Sequence, residues 1–148
     1  MPYLRITCPP LNEELRRAIA ADLTEVINTL LYAPHGRLTR EDLRERTTIH
    51  FTPYAPGELF IGGRSPEERG VADLTVEFSD WNMSARQRRR LAGALTPELA
   101  RLWSIPASQV DGINIRFHSY PPTAFAVGGR LLSDLVPWIG QFLRRLAG

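Results

Sequence analysis

The sequence predicts an α+β fold in which two tandem β-α-β units form one four-stranded sheet with two helices on one face. Three observations predict it: an internal repeat, an alternating apolar segment at the start of each half, and an amphipathic helical segment after it. The repeat is ungapped, because IHFTPYAPGELFIGGR (49–64) and IRFHSYPPTAFAVGGR (115–130) are identical at seven of sixteen positions. Since such self-similarity indicates duplicated structural units, each half is expected to contain the same elements in the same order.

Each half opens with a segment in which apolar and polar residues alternate. Its apolar positions are Leu4, Ile6 and Cys8 in the first half and Leu74, Val76 and Phe78 in the second. A period of two places successive side chains on opposite faces, so both segments predict strands with one buried face.

A helix is expected after each of these strands, with Asn12 and Ser84 as the N-caps. Apolar residues then recur at spacings of three and four, which places them on one helical face. They are Leu15, Ile19, Leu23, Val26, Ile27 and Leu30 in the first half, and Leu91, Leu95, Leu99 and Leu102 in the second. Pro34 and Pro106 end the two helices, because proline lacks the amide hydrogen that a continuing helix needs.

A second strand follows in each half, over residues 47–52 and 113–118. A strand that returns after a helix runs parallel to the first, so each half is a parallel pair. The side chains expected to face the helices are Ile49, Phe51, Ile115 and Phe117. The opposite surface, here called the polar sheet face, comprises Arg5, Thr7, Thr48, His50, Thr52, Thr75, Glu77, Asn114, Arg116 and His118. This face is either open to solvent or lines the inside of an oligomer.

The remaining segments connect and extend the two units. An extra loop over 36–46 contains Thr39, which is expected to cap a short helix. Residues 64–70 form a polar linker, and residues 131–146 predict a last helix. The chain therefore divides into a first unit (1–63), a linker (64–71) and a second unit (72–148), which form a single compact domain by pseudo-twofold duplication.

Composition excludes several classes of function. The net charge is only +2, from 18 basic and 16 acidic residues, so nucleic acid is not an expected partner. The single cysteine, Cys8, excludes an internal disulfide or a Cys-rich zinc site, and the three histidines have no metal-ligand spacing. No apolar run approaches the ~20 residues of a membrane helix, and no signal peptide precedes the first strand. The expectation is a cytoplasmic protein with no metal site and no membrane partner.

Pro2 is the candidate catalytic residue. It follows the initiator methionine, and a small penultimate residue favours removal of Met1. The mature chain then begins with a secondary amine, whose class has a reference pKa near ~7.7–8.0. Burial and nearby arginines lower such a pKa, so the sequence predicts a base poised near neutral pH. All 18 basic residues are arginines, so no lysine amine is available for this chemistry.

These features together resemble a known family. The Pro-first strand, the helix that ends in LYAP (31–34), and the FIGG corner (60–63) are similar to 4-oxalocrotonate tautomerase (4-OT). The second half repeats the pattern with Ala72 where Pro2 stands, so the chain resembles the fused, double-length form within the tautomerase superfamily. The resemblance implies a homotrimer and a cofactor-independent isomerase. Its N-terminal proline would act as general acid/base in keto–enol proton transfer on a small unsaturated 2-oxo acid.

The resemblance carries over the rest of the site only in part. The loops after the first and third strands, PPLN (9–12) and DWNM (80–83), lack the substrate-binding arginine of the family. A second family arginine falls on Thr48 and Asn114. The expected substrate-binding residues are Arg116, Asn114, Phe125, Trp81 and Arg46. Arg116 would bind the substrate carboxylate through charge-assisted hydrogen bonds or, alternatively, pair with Glu77 on the polar sheet face.

Alternative functions stay open at this point. Hydratases, dehalogenases and decarboxylases of the superfamily act on small unsaturated acids in the same pocket. Segments FAV (125–127) and SDWN (79–82) lack their extra glutamate and their paired arginines, which disfavours these reactions. The remaining alternative is a non-enzymatic, oligomeric ligand-binding module that has lost the activity.

Overall fold

The computed structural model describes residues 1–34, 36 and 38–135, and its centre is a four-stranded sheet. The strands are β1 (Tyr3–Cys8), β2 (Thr48–Pro53), β3 (Leu74–Trp81) and β4 (Ile113–Tyr120). Their order is β2-β1-β3-β4. The pairs β1–β2 and β3–β4 are parallel, and β1–β3 is antiparallel. The predicted pair of β-α-β units is confirmed, and the two halves join through their first strands.

The helices begin where the capping residues predict. They are α1 (Glu13–Leu31), α2 (Arg40–Glu45), α3 (Pro66–Arg69), α4 (Ala85–Leu102) and α5 (Leu132–Leu135). The Asn12 side chain accepts a hydrogen bond from the Leu15 amide at 2.8 Å. Ser84 caps α4 with a reciprocal bond from Gln87, and Thr39 caps α2 in the same way. Each cap satisfies amide groups that the first helical turn leaves unpaired.

The core lies between one face of the sheet and the two long helices, α1 and α4. Its fully buried side chains include Leu4, Ile6, Val76 and Phe78 from the strands and Ile19, Leu23, Leu91, Leu95 and Leu99 from the helices. The residues between them along the strands are partly or fully exposed, so the predicted division into a core face and a polar sheet face is confirmed.

A glycine pair forms a sharp corner at the same place in each half. Gly62 and Gly63 have φ of 61° and 76°, and Gly128 and Gly129 have φ of 56° and 77°. Two successive residues at positive φ make a tight turn that favours glycine at both positions. The second turn joins β5 (Ala126–Val127) to β6 (Arg130–Leu131). The apolar side chains beside the two corners are exposed: Phe60, Ile61, Val127 and Leu131.

The linker between the halves is more ordered than the sequence analysis expected. Residues 66–69 form the single-turn helix α3, which Ser65 and Glu68 close with a capping box. Arg69 then donates to both carboxylate oxygens of buried Asp73 at 3.0 and 3.1 Å. The predicted last helix (131–146) lies mostly outside the described residues, and its described part is α5. None of the described helices is long and apolar enough to cross a membrane.

Candidate active site

The amino terminus lies at one end of the two central strands. Pro2 is buried directly before β1, and its carbonyl oxygen accepts a hydrogen bond from the Thr48 amide at 3.0 Å. The antiparallel register pairs Tyr3 with Ser79, and one further step places Pro2 opposite Asp80. Buried side chains alternate along both strands, so Pro2 and Asp80 belong to the same face of the sheet. The two halves of the chain therefore meet at Pro2.

Asp80 is the charged side chain in contact with the amino terminus. Its Oδ1 lies 2.8 Å from the Met1 ammonium nitrogen and also accepts from the Trp81 amide at 2.9 Å. The residue is only 9% exposed, so its charge is poorly screened by water. The sequence analysis expected arginines near the Pro2 nitrogen, and the charged side chain in contact with the preceding Met1 nitrogen is Asp80.

Tyr120 completes the surroundings of the amino terminus. Its Oη lies 3.0 Å from the Met1 nitrogen and donates to the Met1 carbonyl oxygen at 3.3 Å. Burial, together with the negative charge of Asp80, raises the pKa of Tyr120 to about 12. The phenol is therefore a neutral hydrogen-bond donor at physiological pH.

The ends of β3 and β4 are held together, which fixes the positions of Asp80 and Tyr120. The Asn82 amide donates to the Tyr120 carbonyl oxygen at 3.0 Å, and the Met83 amide donates to Ser119 Oγ at 2.9 Å. Asn82 has φ of 48°, a left-handed conformation that asparagine tolerates better than most residues. The loop that follows β3 is thereby anchored to β4.

The structure brings two of the predicted binding residues to this end of the sheet. Trp81 pairs with Tyr120 in the parallel register of β3 and β4. The Phe125 ring stacks on the Tyr120 ring, with centroids 5.5 Å apart and an interplanar angle of 29°. Pro2, Asp80, Trp81, Tyr120 and Phe125 are here called the terminal cluster.

Arg116 and Asn114 lie elsewhere on the sheet. Arg116 is in register with Glu77 and therefore level with Arg5, two strands and three residues from Pro2. A strand spacing of ~4.8 Å and a rise of ~3.3 Å per residue give about 14 Å between the Cα positions of Pro2 and Arg116. Asn114 pairs with Thr75, still farther from Pro2. Both residues stay predictions for a pocket that another copy of the chain would complete.

Arg46 lies on the other side of Pro2 from Asp80. It is the exposed C-cap of α2, two residues before Thr48, whose amide binds the Pro2 carbonyl. The helix that carries it is anchored, because buried Asn28 donates to the Arg40 carbonyl at 2.6 Å and accepts from the Arg40 guanidinium at 2.9 Å. The role of Arg46 in binding a substrate also stays a prediction.

Sequence reasoning missed Asp80 and Tyr120 as site residues. The repeat contains a signal for Tyr120, because it aligns this residue with Tyr54. Both hydroxyls donate to a backbone carbonyl of the other half, Tyr54 to Asp73 at 3.2 Å and Tyr120 to Met1 at 3.3 Å. Asp80 carries no comparable signal, because only the strand register places it beside Pro2.

Within the described residues, no group of three or more His, Cys, Asp or Glu side chains is arranged to hold a metal ion. The site chemistry available there consists of an amine, a carboxylate, a phenol and an aromatic wall. Such a set supports proton transfer and hydrogen bonding to a small ligand.

Comparison with known proteins bears on the fold. No family model matches the chain, and no curated protein matches its sequence. Among solved structures, Pt0534 inactivated by 2-oxo-3-pentynoate is 15% identical, with a TM-score of 0.70 over 90% of this chain and 98% of that one. The wild-type F6 fused 4-OT, an asymmetric trimer, is 16% identical, with a TM-score of 0.71 over the same shares. N1, a member of the cis-3-chloroacrylic acid dehalogenase family, is 19% identical, with a TM-score of 0.67 over 97% of this chain and 96% of that one.

These similarities extend over most of each chain and agree with the observed strand order. At under 25% identity they establish the architecture and not the activity. The chain has the β-α-β fold of the tautomerase superfamily, in the double-length form found in fused 4-OT.

Proposed function

We propose that the protein is a cofactor-independent keto–enol tautomerase that acts on a small unsaturated 2-oxo compound. After removal of Met1, the imino nitrogen of Pro2 serves as general acid/base. The proposal rests on the position of the amino terminus in the structure. It is fixed at the end of a central strand, between a buried carboxylate and a neutral phenol.

The proposed reaction moves one proton through Pro2. The uncharged nitrogen takes the proton of an enol hydroxyl and returns it to a carbon of the same molecule, so the substrate gains a carbonyl group and a C–H bond. Negative charge develops on the substrate oxygen during this transfer. Tyr120 already donates to a carbonyl oxygen in this place, that of Met1, at 3.3 Å. A donor placed in advance where charge develops lowers the barrier to proton transfer.

Two structures of the same fold support the substrate class and the assembly. Pt0534 is inactivated by 2-oxo-3-pentynoate, an unsaturated 2-oxo compound. The F6 fused 4-OT is a trimer. The exposed apolar side chains beside the two glycine corners of this chain favour association as well. We therefore include a homotrimer in the proposal.

A blocked amino terminus is expected to abolish the activity. The test uses protein whose mass shows that Met1 has been removed, and it follows enol–keto conversion of phenylenolpyruvate and 2-hydroxymuconate by ultraviolet absorbance. A peptide extension before Pro2 turns the reactive amine into an amide and should lower turnover at least 100-fold, in line with the usual contribution of a general base. Pro2→Ala keeps a primary amine and should lose less.

The control is Pro10→Ala, at an exposed proline in the loop between β1 and α1, which should retain full activity. Undiminished turnover in the extended protein would show that the terminal nitrogen is not the base.

Hydration of an unsaturated acid is a second candidate, because Asp80 provides a carboxylate beside the reactive end that can activate water. Mass spectrometry of the product separates the two reactions. Hydration adds one water molecule to the mass of the substrate, whereas tautomerisation leaves the mass unchanged.

A further inference from the structure

The Met1 residue shows which chemical groups the terminal cluster accepts. Its ammonium group lies between Asp80 Oδ1 at 2.8 Å and Tyr120 Oη at 3.0 Å. Its carbonyl oxygen accepts from the Tyr120 hydroxyl. The cluster therefore holds a hydrogen-bond donor against Asp80 and an uncharged acceptor against Tyr120. Removal of Met1 frees these positions for a substrate and leaves the Asp80 carboxylate in place.

The charge of the mature site follows from this arrangement. Pro2 must be uncharged to act as a base, and the Pro2–Asp80 pair then has a net charge of −1. When Pro2 holds the proton, the pair is neutral. Tyr120 adds no charge at physiological pH, because burial and the Asp80 carboxylate hold its pKa at about 12. In neither protonation state does the Pro2–Asp80 pair have a net positive charge that would attract a negatively charged substrate.

Within the described residues of one chain, the nearby arginines do not neutralise the negative charge of Asp80. Arg5, three residues along β1, donates to Glu77 at 3.2 Å, and Arg116 is in register with the same Glu77. On the β2 side, the exposed Arg46 lies across Pro2 from Asp80. A substrate carboxylate placed against Asp80 would meet a poorly screened like charge, whereas an uncharged ester, aldehyde or ketone group would not.

We propose that Asp80 makes this site select uncharged 2-oxo compounds, which place no negative group against the Asp80 carboxylate, over the corresponding carboxylic acids. The substrate class is thus a small, neutral, enolisable 2-oxo ester, aldehyde or ketone. Asp80 is a specificity-determining residue in this arrangement. The inference rests on the proposed tautomerase function and narrows its substrate.

The test compares phenylenolpyruvate with its methyl ester, which differ by one negative charge beside the enol carbon. The processed wild-type protein is expected to convert the ester with at least a tenfold higher kcat/KM. In Asp80→Asn the amide oxygen can still accept from the Trp81 amide, so the local structure is kept while the charge is lost. This variant is expected to reduce the ester preference at least fivefold, mainly through a lower KM for the acid. Asp111→Asn, at an exposed aspartate before β4, is the matched control and should leave the preference unchanged.

The outcomes separate the two proposals. Conversion of both compounds with a preference for the acid, or an unchanged preference in a folded Asp80→Asn protein, overturns the role of Asp80 and leaves the tautomerase function standing. Conversion of neither compound by the processed wild-type protein overturns the proposed function itself. The wild-type preference alone decides the inference if Asp80→Asn does not fold.

Discussion

At the scale of single residues, the central feature is the contact of both Asp80 and Tyr120 with the amino terminus at the end of the sheet. The two side chains come from neighbouring strands and both contact the Met1 nitrogen, at 2.8 and 3.0 Å. Asp80 affects the chemistry of Tyr120 as well, because its negative charge opposes ionisation of the phenol. A phenol that stays protonated can donate to a substrate oxygen throughout the physiological pH range.

The ionisation of Tyr120 can be measured directly. Phenolate absorbance should show one tyrosine that titrates at about 12, identified by its loss in Tyr120→Phe. Asp80→Asn should lower this pKa, but not to the ordinary value of 10.0, since burial is the larger cause of the shift. Between pH 10 and 12 the unfolded chain releases a proton that folded Tyr120 keeps, so stability should fall across that window. A Tyr120 signal already complete at pH 10 would contradict the buried, carboxylate-flanked position.

At the scale of secondary structure, the linker between the halves positions β3. Helix α3 ends at Arg69, whose guanidinium binds the buried carboxylate of Asp73, the residue immediately before β3. The Asp73 carbonyl also accepts from the Tyr54 hydroxyl of the first half. These contacts set where β3 begins, and the β3 register in turn places Asp80 opposite Pro2.

Removal of the Arg69 side chain is expected to destabilise the fold. Arg69→Ala leaves the Asp73 carboxylate buried without its partner and should lower the free energy of unfolding by about 2 kcal/mol, measured by urea denaturation. Arg17→Ala is the matched control, because it removes an exposed ion pair with Glu13 and should cost less than about 0.5 kcal/mol. Equal effects of the two substitutions would show that the Arg69–Asp73 contact does not hold the linker.

At the scale of the whole molecule, the sequence predicts the framework better than the site. Alternation in β1 and β3, the helical stripes and the caps at Asn12 and Ser84 are local patterns, and each is confirmed except at Leu15, which was expected in the α1 stripe and is 41% exposed in the first turn of that helix. Helix α3 was expected only as a polar linker, although its SPEE segment (65–68) contains the residues of a capping box. Asp80 was not predicted as a site residue, because its proximity to Pro2, 78 positions earlier in the sequence, depends on the pairing of β1 with β3, which local spacing does not show.

The exposed corners give a prediction about assembly. Phe60 and Val127, beside the two glycine pairs, are 57% and 44% exposed, and apolar surface of this kind is typical of contacts between subunits. Light scattering is expected to give three times the chain mass of 16.7 kDa. Val127→Asp should shift the protein towards smaller species, because association would bury an unpaired charge.

Leu15→Asp provides the control for this experiment, since Leu15 is also exposed but lies on α1, away from both corners. It should leave the measured mass unchanged. A wild-type protein with the mass of a single chain would refute the trimer.

The antiparallel contact between β1 and β3 makes part of the pocket independent of protein concentration. In a polypeptide with only one β-α-β unit, the side chains equivalent to Asp80 and Tyr120 would have to come from a second molecule. They would be lost from the pocket when the two molecules dissociate. Here one chain contains the amino terminus and both Asp80 and Tyr120, so the contact between them is intramolecular. This part of the pocket persists at any protein concentration at which the chain stays folded.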